Sequence, residues 1–383
     1  MTTVSAGAWL PVYAQFPLRA VSGSGSYLID DQGRKWLDGY GGHAVASTGH
    51  CHPEVVRAIA EQAGRLIFYS TAVPHAGREE LAELIAANCP DPLNKVFFCN
   101  SGAEANENAL SLARKVTGRQ RIVSVSGGWH GRTAATLAVT DGAKYEEAAR
   151  RSGISISTKV PFNDVQAMSA SVDDTVAAVI VEPVQGLIGA RDCSPDFLRA
   201  ARLACDREGA VLIFDEIQCG VGRCGAFSAA QAFEVTPDVL TFAKGLASGL
   251  PIGAMVATPA ITSGLKVGDL GSTFGGGPVV AAAAIATISV ILRERLIENA
   301  VMVGDHIRRA AEKMPGVIEV QGRGLLLGLR LAKPAAEVQN ALFQSRILTG
   351  TSGDPAVLRL MPPLSFSRSE ANLLIDAIRR VLT

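Results

Sequence analysis

Residues 210–220 read "AVLIFDEIQCG", an apolar run that ends on two carboxylates. The run is hydrophobic throughout rather than alternating, which is typical of a strand that is covered on both faces. Four other runs share this character, and helical patterns lie between them. The predicted strands are "KVFFC" (95–99), "RIVSVS" (121–126), "VAAVIV" (176–181), "AVLIF" (210–214) and "DVLTFA" (238–243). This alternation predicts an α/β fold with an open, mostly parallel, doubly wound sheet.

The segments on either side of this region have a different character. "GSYLIDDQGRKWLDG" (25–39) predicts a hairpin that turns at D-Q-G, and "VIEVQGRGLLLGLRL" (317–331) predicts a strand pair around a glycine turn. A chain of 383 residues is also too long for one small core. We therefore expect a large domain over 48–277 and a smaller α+β domain built from 1–47 and 278–383.

The composition excludes several classes of protein. Lys+Arg and Asp+Glu both number 36, so the chain lacks the charge excess typical of nucleic-acid or anionic-membrane partners. The seven cysteines form no C-x-x-C pair, which favours free thiols in a reducing compartment. The apolar stretch 279–292 is shorter than the roughly 20 residues of a membrane span, and the N-terminus lacks a signal-peptide pattern. We expect a cytoplasmic protein.

Polar residues follow each of the five apolar runs. In open α/β sheets, ligands bind outside the carboxyl ends of the strands. The segments at these ends are "NSGAEANENAL", "GGWHGRT", "EPVQG", "DEIQCG" and "KGLASG". Because the strands themselves carry almost no polar side chains, the pattern predicts a single site at this edge of the sheet.

Two successive runs end at Asp215 and Lys244, which a right-handed crossover would place at the same edge. An apolar setting lowers the pKa of a lysine and makes its amine a candidate nucleophile, while a buried carboxylate needs a cationic partner. Pyridoxal phosphate (PLP) meets both demands: the lysine forms a Schiff base with its aldehyde, and the aspartate keeps its pyridine nitrogen protonated. The alternative is an ordinary Lys–Asp ion pair.

"NSGA" follows a strand and opens a helix, so its free N–H groups and the Ser101 hydroxyl could hold a phosphate. The alternative is a plain capping box, since Glu104 follows Ser101 by three residues. The glycine-rich "STFGGGP" (272–278) is a second candidate anion-binding loop, or else a flexible surface loop. The presence of Lys244 and Asp215 at the same edge favours the phosphate hypothesis.

Two histidine-containing segments lead to different interpretations. In "GGWHGRT", Trp129 could stack on a flat cofactor and Arg132 could bind a carboxylate, although a core tryptophan and a surface arginine are the alternatives. In "GHCHPE" (49–54), Pro53 is predicted to open a helix, and no further ligand cluster follows at a usable spacing. We expect no metal site. No G-x-G-x-x-G follows the first strand, which disfavours a dinucleotide.

Several segments together resemble the class III (ornithine-type) aminotransferases, most closely the acetylornithine and succinylornithine types. These segments are "YLIDDQGRKWLDG", "GHCHPEVVRAI", "SGAEANENA", "WHGRT", "EPVQG", "DEIQCGVGRCG", "TFAKGLASGLPIGA", "STFGGGP" and "VLRLMPPLSFSRSEANLLI". The resemblance extends over essentially the whole chain. It implies a fold-type I, PLP-dependent homodimer with its sites at the subunit interface.

The resemblance also implies a role for each candidate residue. Lys244 would be the Schiff-base lysine, Asp215 the partner of the pyridine nitrogen, Gln218 a neighbour of the ring hydroxyl and Glu182 a support for the ring-side hydrogen bonds. Ser101, Gly102 and Ala103 would hold the phosphate together with Thr273 of the neighbouring subunit, and Trp129 would lie against the ring. Arg132 and Arg359 would bind substrate carboxylates, and Tyr13 would line the substrate entrance.

The implied reaction transfers the δ-amino group of an N2-acylornithine to 2-oxoglutarate, in arginine biosynthesis. One departure concerns Leu187, which stands where many members have a glutamate that is thought to pair with the arginine of "HGRT"; its absence predicts a free Arg132. Three alternatives are another class III aminotransferase (acting on ornithine, 4-aminobutyrate, a diamine or a secondary-metabolite amine), a PLP aminomutase, and a non-catalytic regulator.

Overall fold

The computed structural model describes residue 8, residue 10 and residues 12–383. The strands are β1 (Ala20–Ser24), β2 (Tyr27–Asp30), β3 (Lys35–Asp38), β4 (Lys95–Cys99), β5 (Arg121–Val125), β6 (Thr158–Val160), β7 (Val176–Val181), β8 (Val184–Gln185), β9 (Arg191–Asp192), β10 (Val211–Asp215), β11 (Val239–Phe242), β12 (Gly253–Ala257), β13 (Val317–Arg323), β14 (Leu326–Leu331), β15 (Ile347–Leu348), β16 (Gly350–Thr351) and β17 (Val357–Leu360). All five strands predicted for the central region are present, with bounds within one residue of the apolar runs.

The helices alternate with these strands through the central region. They are α1 (Gly41–Ala44), α2 (Pro53–Arg65), α3 (Ala76–Asn88), α4 (Gly102–Thr117), α5 (Ala134–Val139), α6 (Ala143–Arg151), α7 (Val165–Ser171), α8 (Pro195–Glu208), α9 (Ala229–Phe233), α10 (Pro259–Thr262), α11 (Pro278–Arg293), α12 (Leu296–Ala311), α13 (Ala335–Gln344) and α14 (Arg368–Leu382), with a 3₁₀ turn at Lys244–Ala247. In the part of the chain that the structure describes, no helix has the length and apolar character needed to cross a bilayer.

The central sheet has the strand order β4-β12-β11-β10-β7-β5-β6. Its strands are parallel except β12, which runs antiparallel to both of its neighbours. Only residues 243–252 lie between β11 and β12, which is too short for a parallel crossover of a dozen or more residues. The prediction of a mostly parallel sheet is confirmed, and β6 and β12 are strands that the sequence patterns did not reveal.

The strands at the centre of the sheet are buried on both faces. Alternate residues of β7 and β10 belong to two different hydrophobic clusters: Val179 and Leu212 lie in one, and Ile180 and Ile213 lie in the other. This explains why these strands are apolar throughout. Polar chemistry is then confined to the strand ends, where Asp215 is the last residue of β10 and pairs in register with Thr241 of β11.

The flanking segments form two further sheets. The predicted hairpin is present as β2 and β3, and the predicted strand pair is present as β13 and β14. Strand β3 also pairs in parallel with β15, near the other end of the chain. This pairing of N- and C-terminal strands agrees with a smaller unit built from both termini. The division at 47/48 and 277/278 remains a prediction.

Candidate active site

A cavity of about 450 Å³ lies at the carboxyl ends of the central strands. It joins a second lobe of about 270 Å³ through five shared residues, Trp129, Arg132, Glu182, Gln218 and Lys244. The first lobe is also lined by Ser101, Gly102, Ala103 and Asp215, and the second by His43, Tyr145, Leu187 and Arg359. The structure therefore brings together all but two of the site residues that the sequence suggested.

Lys244 is the second residue after the end of β11, and it begins the 3₁₀ turn. Its φ of 41° is left-handed, a conformation that few residues other than glycine adopt. Desolvation lowers the pKa of the Lys244 ammonium, and the charges of Asp215 and Glu182 offset part of this effect. A lowered pKa increases the fraction of free amine, which is the nucleophilic form.

Asp215 is held by a network behind the cavity. Its Oδ2 accepts hydrogen bonds from Asn106 Nδ2 at 2.7 Å and lies 2.8 Å from His130 Nδ1, while its Oδ1 accepts from the N–H of Ile217 at 3.1 Å. Asn106 is oriented in turn by Thr241, whose hydroxyl donates to Asn106 Oδ1 at 2.8 Å. Asp215 itself is 2% exposed. The carboxylate is thus locked in one position, with its charge directed at the cavity.

Glu182 follows β7 and is a second buried carboxylate at this edge. Its Oε1 accepts from the N–H of Trp129 at 2.7 Å, and its Oε2 accepts from the N–H of Gly186 at 3.1 Å. Desolvation and the nearby charge of Asp215 raise the pKa of Glu182. A carboxyl that is shared between two loop N–H groups fixes the loop after β5 to the loop after β7, and so positions the Trp129 ring.

The start of α4 forms a cup of hydrogen-bond donors. The Ser101 hydroxyl accepts from the N–H of Glu104 at 3.1 Å, whereas the Glu104 carboxylate accepts from the N–H of Asn100 at 2.6 Å rather than from Ser101. The predicted capping box is therefore only half formed. Within the described residues, the N–H groups of Gly102 and Ala103 have no acceptor. A Cβ on Gly102 would lie 2.6 Å from Ile217 Cδ1, so the cup requires glycine there.

We expect Ser101→Gly to raise the dissociation constant of PLP about tenfold, because the hydroxyl proton is free to donate to a phosphate and such bonds to charged groups contribute about 1.5–3 kcal/mol. Glycine retains most of the N-cap preference, so the helix start is preserved. Ser101→Thr keeps the hydroxyl and serves as the control. Equilibrium titration of the apoenzyme with PLP measures both constants, and equal affinities in the two variants would refute the assignment.

Trp129 and Arg132 lie at the junction of the two lobes. The guanidinium carbon of Arg132 is 5.2 Å from the centre of the Trp129 ring, and the Trp129 ring meets the edge of Tyr145 at 5.0 Å. Trp129 is only half-buried, and Arg132 is exposed. Neither is therefore a core or a remote surface residue. Among the residues that the structure describes, no carboxylate forms an ion pair with Arg132.

Arg359 of β17 is 5% exposed and has three neutral acceptors. It donates to the carbonyl of Thr351 at 2.7 Å, to the carbonyl of Gly186 at 3.0 Å and to the hydroxyl of Tyr40 at 2.9 Å. Because Gly186 directly precedes Leu187, position 187 adjoins Arg359 and also lines the lobe that contains Arg132. Both guanidinium groups are thus available to anionic substrates.

Two predicted residues lie away from the cavity, and the histidine pair has other partners. Tyr13 is 58% exposed in the N-terminal segment, and Thr273 is exposed in the glycine-rich loop; neither lines either lobe of this chain. His50 pairs with Asp38 at 2.8 Å, and His52 with Glu294 at 3.4 Å. Over the described residues, no cluster of His, Cys, Asp or Glu is arranged to hold a metal ion.

The arrangement fits PLP at each of its functional groups. The free N–H groups of Gly102 and Ala103 suit the phosphate, the Trp129 ring suits one face of the pyridine, and the buried Asp215 suits a protonated ring nitrogen. Asn106 and His130, which hold Asp215, were not identified from the sequence. His130 was visible within "GGWHGRT", but nothing in that segment indicated that it contacts Asp215.

Comparison with known proteins gives a consistent result. The model of the class III aminotransferase family matches residues 11–382. The chain is 41% identical over 375 residues to an acetylornithine aminotransferase of Methanopyrus kandleri, a match covering 96% of each protein. It is 41% identical over 377 residues to an acetylornithine aminotransferase of Mycobacterium leprae, covering 97% of this chain and 92% of that relative.

Solved structures show the same architecture. An ornithine aminotransferase from Toxoplasma gondii superposes with a TM-score of 0.89 at 30% identity, covering 97% of this chain and 91% of the other. A transaminase from the marine bacterium Virgibacillus superposes with a TM-score of 0.90 at 28% identity, covering 96% and 93%. The fold of this chain thus occurs over nearly its whole length in solved transaminases.

Proposed function

Because the chain belongs to the class III aminotransferases, which are α/β enzymes that depend on PLP, we propose that it transfers the δ-amino group of an N2-acylornithine to 2-oxoglutarate. Acetylornithine is the substrate named for the relatives of 41% identity, and the products would be the acyl-glutamate semialdehyde and glutamate. This reaction belongs to arginine biosynthesis. The observation that carries the proposal is one cavity that joins Lys244 and Asp215 to two guanidinium groups without carboxylate partners.

Each residue has a defined task in this reaction. When bound, PLP supplies an electron sink for the bond that breaks at the amine-bearing carbon. Lys244 would anchor the cofactor, and its free amine would move a proton at that carbon. Asp215 would hold the proton on the ring nitrogen. Arg132 and Arg359 bind the carboxylates of the donor and of 2-oxoglutarate, which orients the reacting amine.

A panel of donors tests the substrate assignment. The visible absorbance of the holoenzyme is followed after mixing with acetylornithine, succinylornithine, ornithine or 4-aminobutyrate in the absence of a keto acid. We expect the fastest loss of absorbance with an N2-acylornithine. A faster reaction with ornithine or 4-aminobutyrate would instead support another class III activity, and turnover without any amino acceptor would indicate an aminomutase.

Position 187 offers a test of the carboxylate-binding lobe. We expect Leu187→Glu to raise the dissociation constant of glutarate about tenfold, because the new carboxylate would pair with Arg132 or Arg359 and compete with the ligand. Leu187→Gln has nearly the same size without the charge and should change the constant less. Titration of the holoenzyme's visible spectrum with glutarate measures both. Equal effects in the two variants would show that charge is not responsible.

We also propose a homodimer in which Thr273 reaches the neighbouring subunit's phosphate cup. Support comes from Thr273, which is exposed and lines neither lobe of its own cavity, and from apolar side chains beside it. Phe274 is 60% exposed and packs on Phe68 at 5.0 Å, while Ile67 is 70% exposed. A cytoplasmic location is proposed as well, since all seven cysteines are free and six are buried.

A further inference from the structure

His43 occupies an unusual position in the second lobe of the cavity. It follows Gly41 and Gly42, whose φ angles are 59° and 56°, and its own φ is 66°. Non-glycine residues in this left-handed region are uncommon, and strain of this kind concentrates at functional sites. The side chain is exposed to the lobe that also contains Leu187 and Arg359. The imidazole is therefore directed at the place where the substrate would bind.

A chain of hydrogen bonds favours one tautomer of His43. Arg359 Nη2 lies 2.9 Å from the Tyr40 hydroxyl, and a guanidinium can only donate. The other partner of that hydroxyl is Nδ1 of His43, also at 2.9 Å. With Arg359 donating to the Tyr40 oxygen, the Tyr40 proton can be donated to Nδ1. The neutral imidazole then carries its own proton on Nε2.

The surroundings keep this imidazole neutral. Partial desolvation within the lobe lowers the pKa of His43, and the positive charges of Arg359 and Lys244 lower it further, with Asp38 acting weakly in the opposite direction. Desolvation likewise raises the pKa of the Tyr40 phenol, so Tyr40 retains the proton that it donates. Beside the charged donors Arg132 and Arg359, the lobe thus contains His43 as an uncharged donor.

Charged donors match carboxylates, whereas a neutral N–H matches a neutral carbonyl oxygen. An N2-acylornithine differs from ornithine by an amide, whose carbonyl is such an acceptor. We propose that Nε2–H of His43 donates a hydrogen bond to the acyl carbonyl of the substrate and so selects acylated over free ornithine. This inference rests on the proposed function, and it adds a specificity-determining residue to the same site.

Two substitutions at position 43 separate the donor from the backbone. His43→Asn tolerates the left-handed conformation and can still accept from Tyr40, but its side chain is too short to supply a donor at the Nε2 position. His43→Gln places an amide N–H near the position of Nε2. The visible spectrum of bound PLP and the thermal midpoint of each holoenzyme show whether the site remains assembled.

The first measurement is the ratio of kcat/KM for acetylornithine to kcat/KM for ornithine. Loss of one neutral hydrogen bond should lower this ratio about 5- to 10-fold in His43→Asn, and His43→Gln should recover most of it. The second measurement is calorimetric binding of N2-acetylnorvaline, which has the acyl group and the carboxylate but no δ-amine. Its dissociation constant should rise by the same factor in His43→Asn, relative to pentanoate, which lacks the amide.

The outcomes distinguish this inference from the proposed function. An unchanged ratio in His43→Asn, or an equal weakening of N2-acetylnorvaline and pentanoate, would overturn the role of His43 while leaving the transamination intact. A wild-type enzyme that turns over no N2-acylornithine would instead overturn the proposed function. Failure of His43→Gln to recover the ratio, with an intact PLP spectrum, would also contradict a donor at Nε2.

Discussion

Replacing Lys244 by alanine is expected to abolish turnover and to remove the visible absorbance that PLP shows when it is bonded to the enzyme. Lys244 is the amine that faces the cavity beside Asp215 and Glu182. Burial lowers its pKa, which increases the fraction of free, nucleophilic amine. In the proposed reaction the same amine would also move the proton at the amine-bearing carbon, a role whose loss alone costs about 10²–10⁴ in rate. We therefore expect kcat/KM to fall at least about a thousandfold.

A matched lysine provides the control for this experiment. Lys266 is exposed and lines neither lobe, so Lys266→Ala makes the same chemical change outside the site. Spectra recorded after incubation with PLP and removal of the free cofactor report the bond, and steady-state assays report turnover. A Lys244→Ala enzyme that keeps both the absorbance and the activity of the Lys266→Ala enzyme would refute the assignment.

Asp215→Asn should lower kcat about 100- to 1000-fold, the range found when a group that stabilises developing charge is removed from an active site. The substitution keeps the shape of the side chain but removes the negative charge that would hold a proton on the pyridine nitrogen. Asp215 is 2% exposed, so solvent cannot supply a substitute charge. The pH dependence of the visible spectrum of bound PLP should shift in the same variant.

Asp238→Asn is the control for the loss of a hydrogen-bonded, partly buried aspartate. Asp238 lies just before β11, at the opposite end of the sheet, where it accepts from the N–H of Leu212 at 2.7 Å and from Arg202 at 3.0 Å. Its loss should affect stability rather than kcat of the holoenzyme. A kcat for Asp215→Asn within threefold of that of Asp238→Asn would contradict the proposed role of Asp215.

The positions of the central strands were predictable because strands buried by tertiary packing form recognisable apolar runs in the sequence. A strand that is buried on both faces needs apolar residues along its length, so β7 and β10 appear in the sequence as apolar runs with sharp ends. β12 was harder to recognise from its sequence pattern, since "GAMVA" is short and contains small residues. Its antiparallel direction depends on the length of the connection from β11, which is a property of the folded chain.

The site residues that could be predicted from the sequence are those that lie at the carboxyl ends of strands. Asp215 and Lys244 follow apolar runs directly, and β10 and β11 are neighbours, so sheet topology alone brings them together. The partners of Asp215 were not predictable, because Asn106 and His130 come from other strand–helix units and their contact depends on side-chain packing. The roles of Tyr13 and Thr273 remain predictions that depend on a second subunit.

The sequence by itself indicated five of the seven strands of the central sheet, the edge at which the candidate site lies and Lys244 as the candidate nucleophilic amine, because buried strands and the polar residues at their ends form local patterns. Only the tertiary structure decided how the polar side chains at the second lobe are arranged. Arg359, Tyr40 and His43 meet there from opposite ends of the chain, and the direction of their hydrogen bonds follows from which groups can donate. No local sequence pattern indicates a hydrogen bond between residues so far apart in the chain. The tautomer of His43 could therefore be assigned only from the fold.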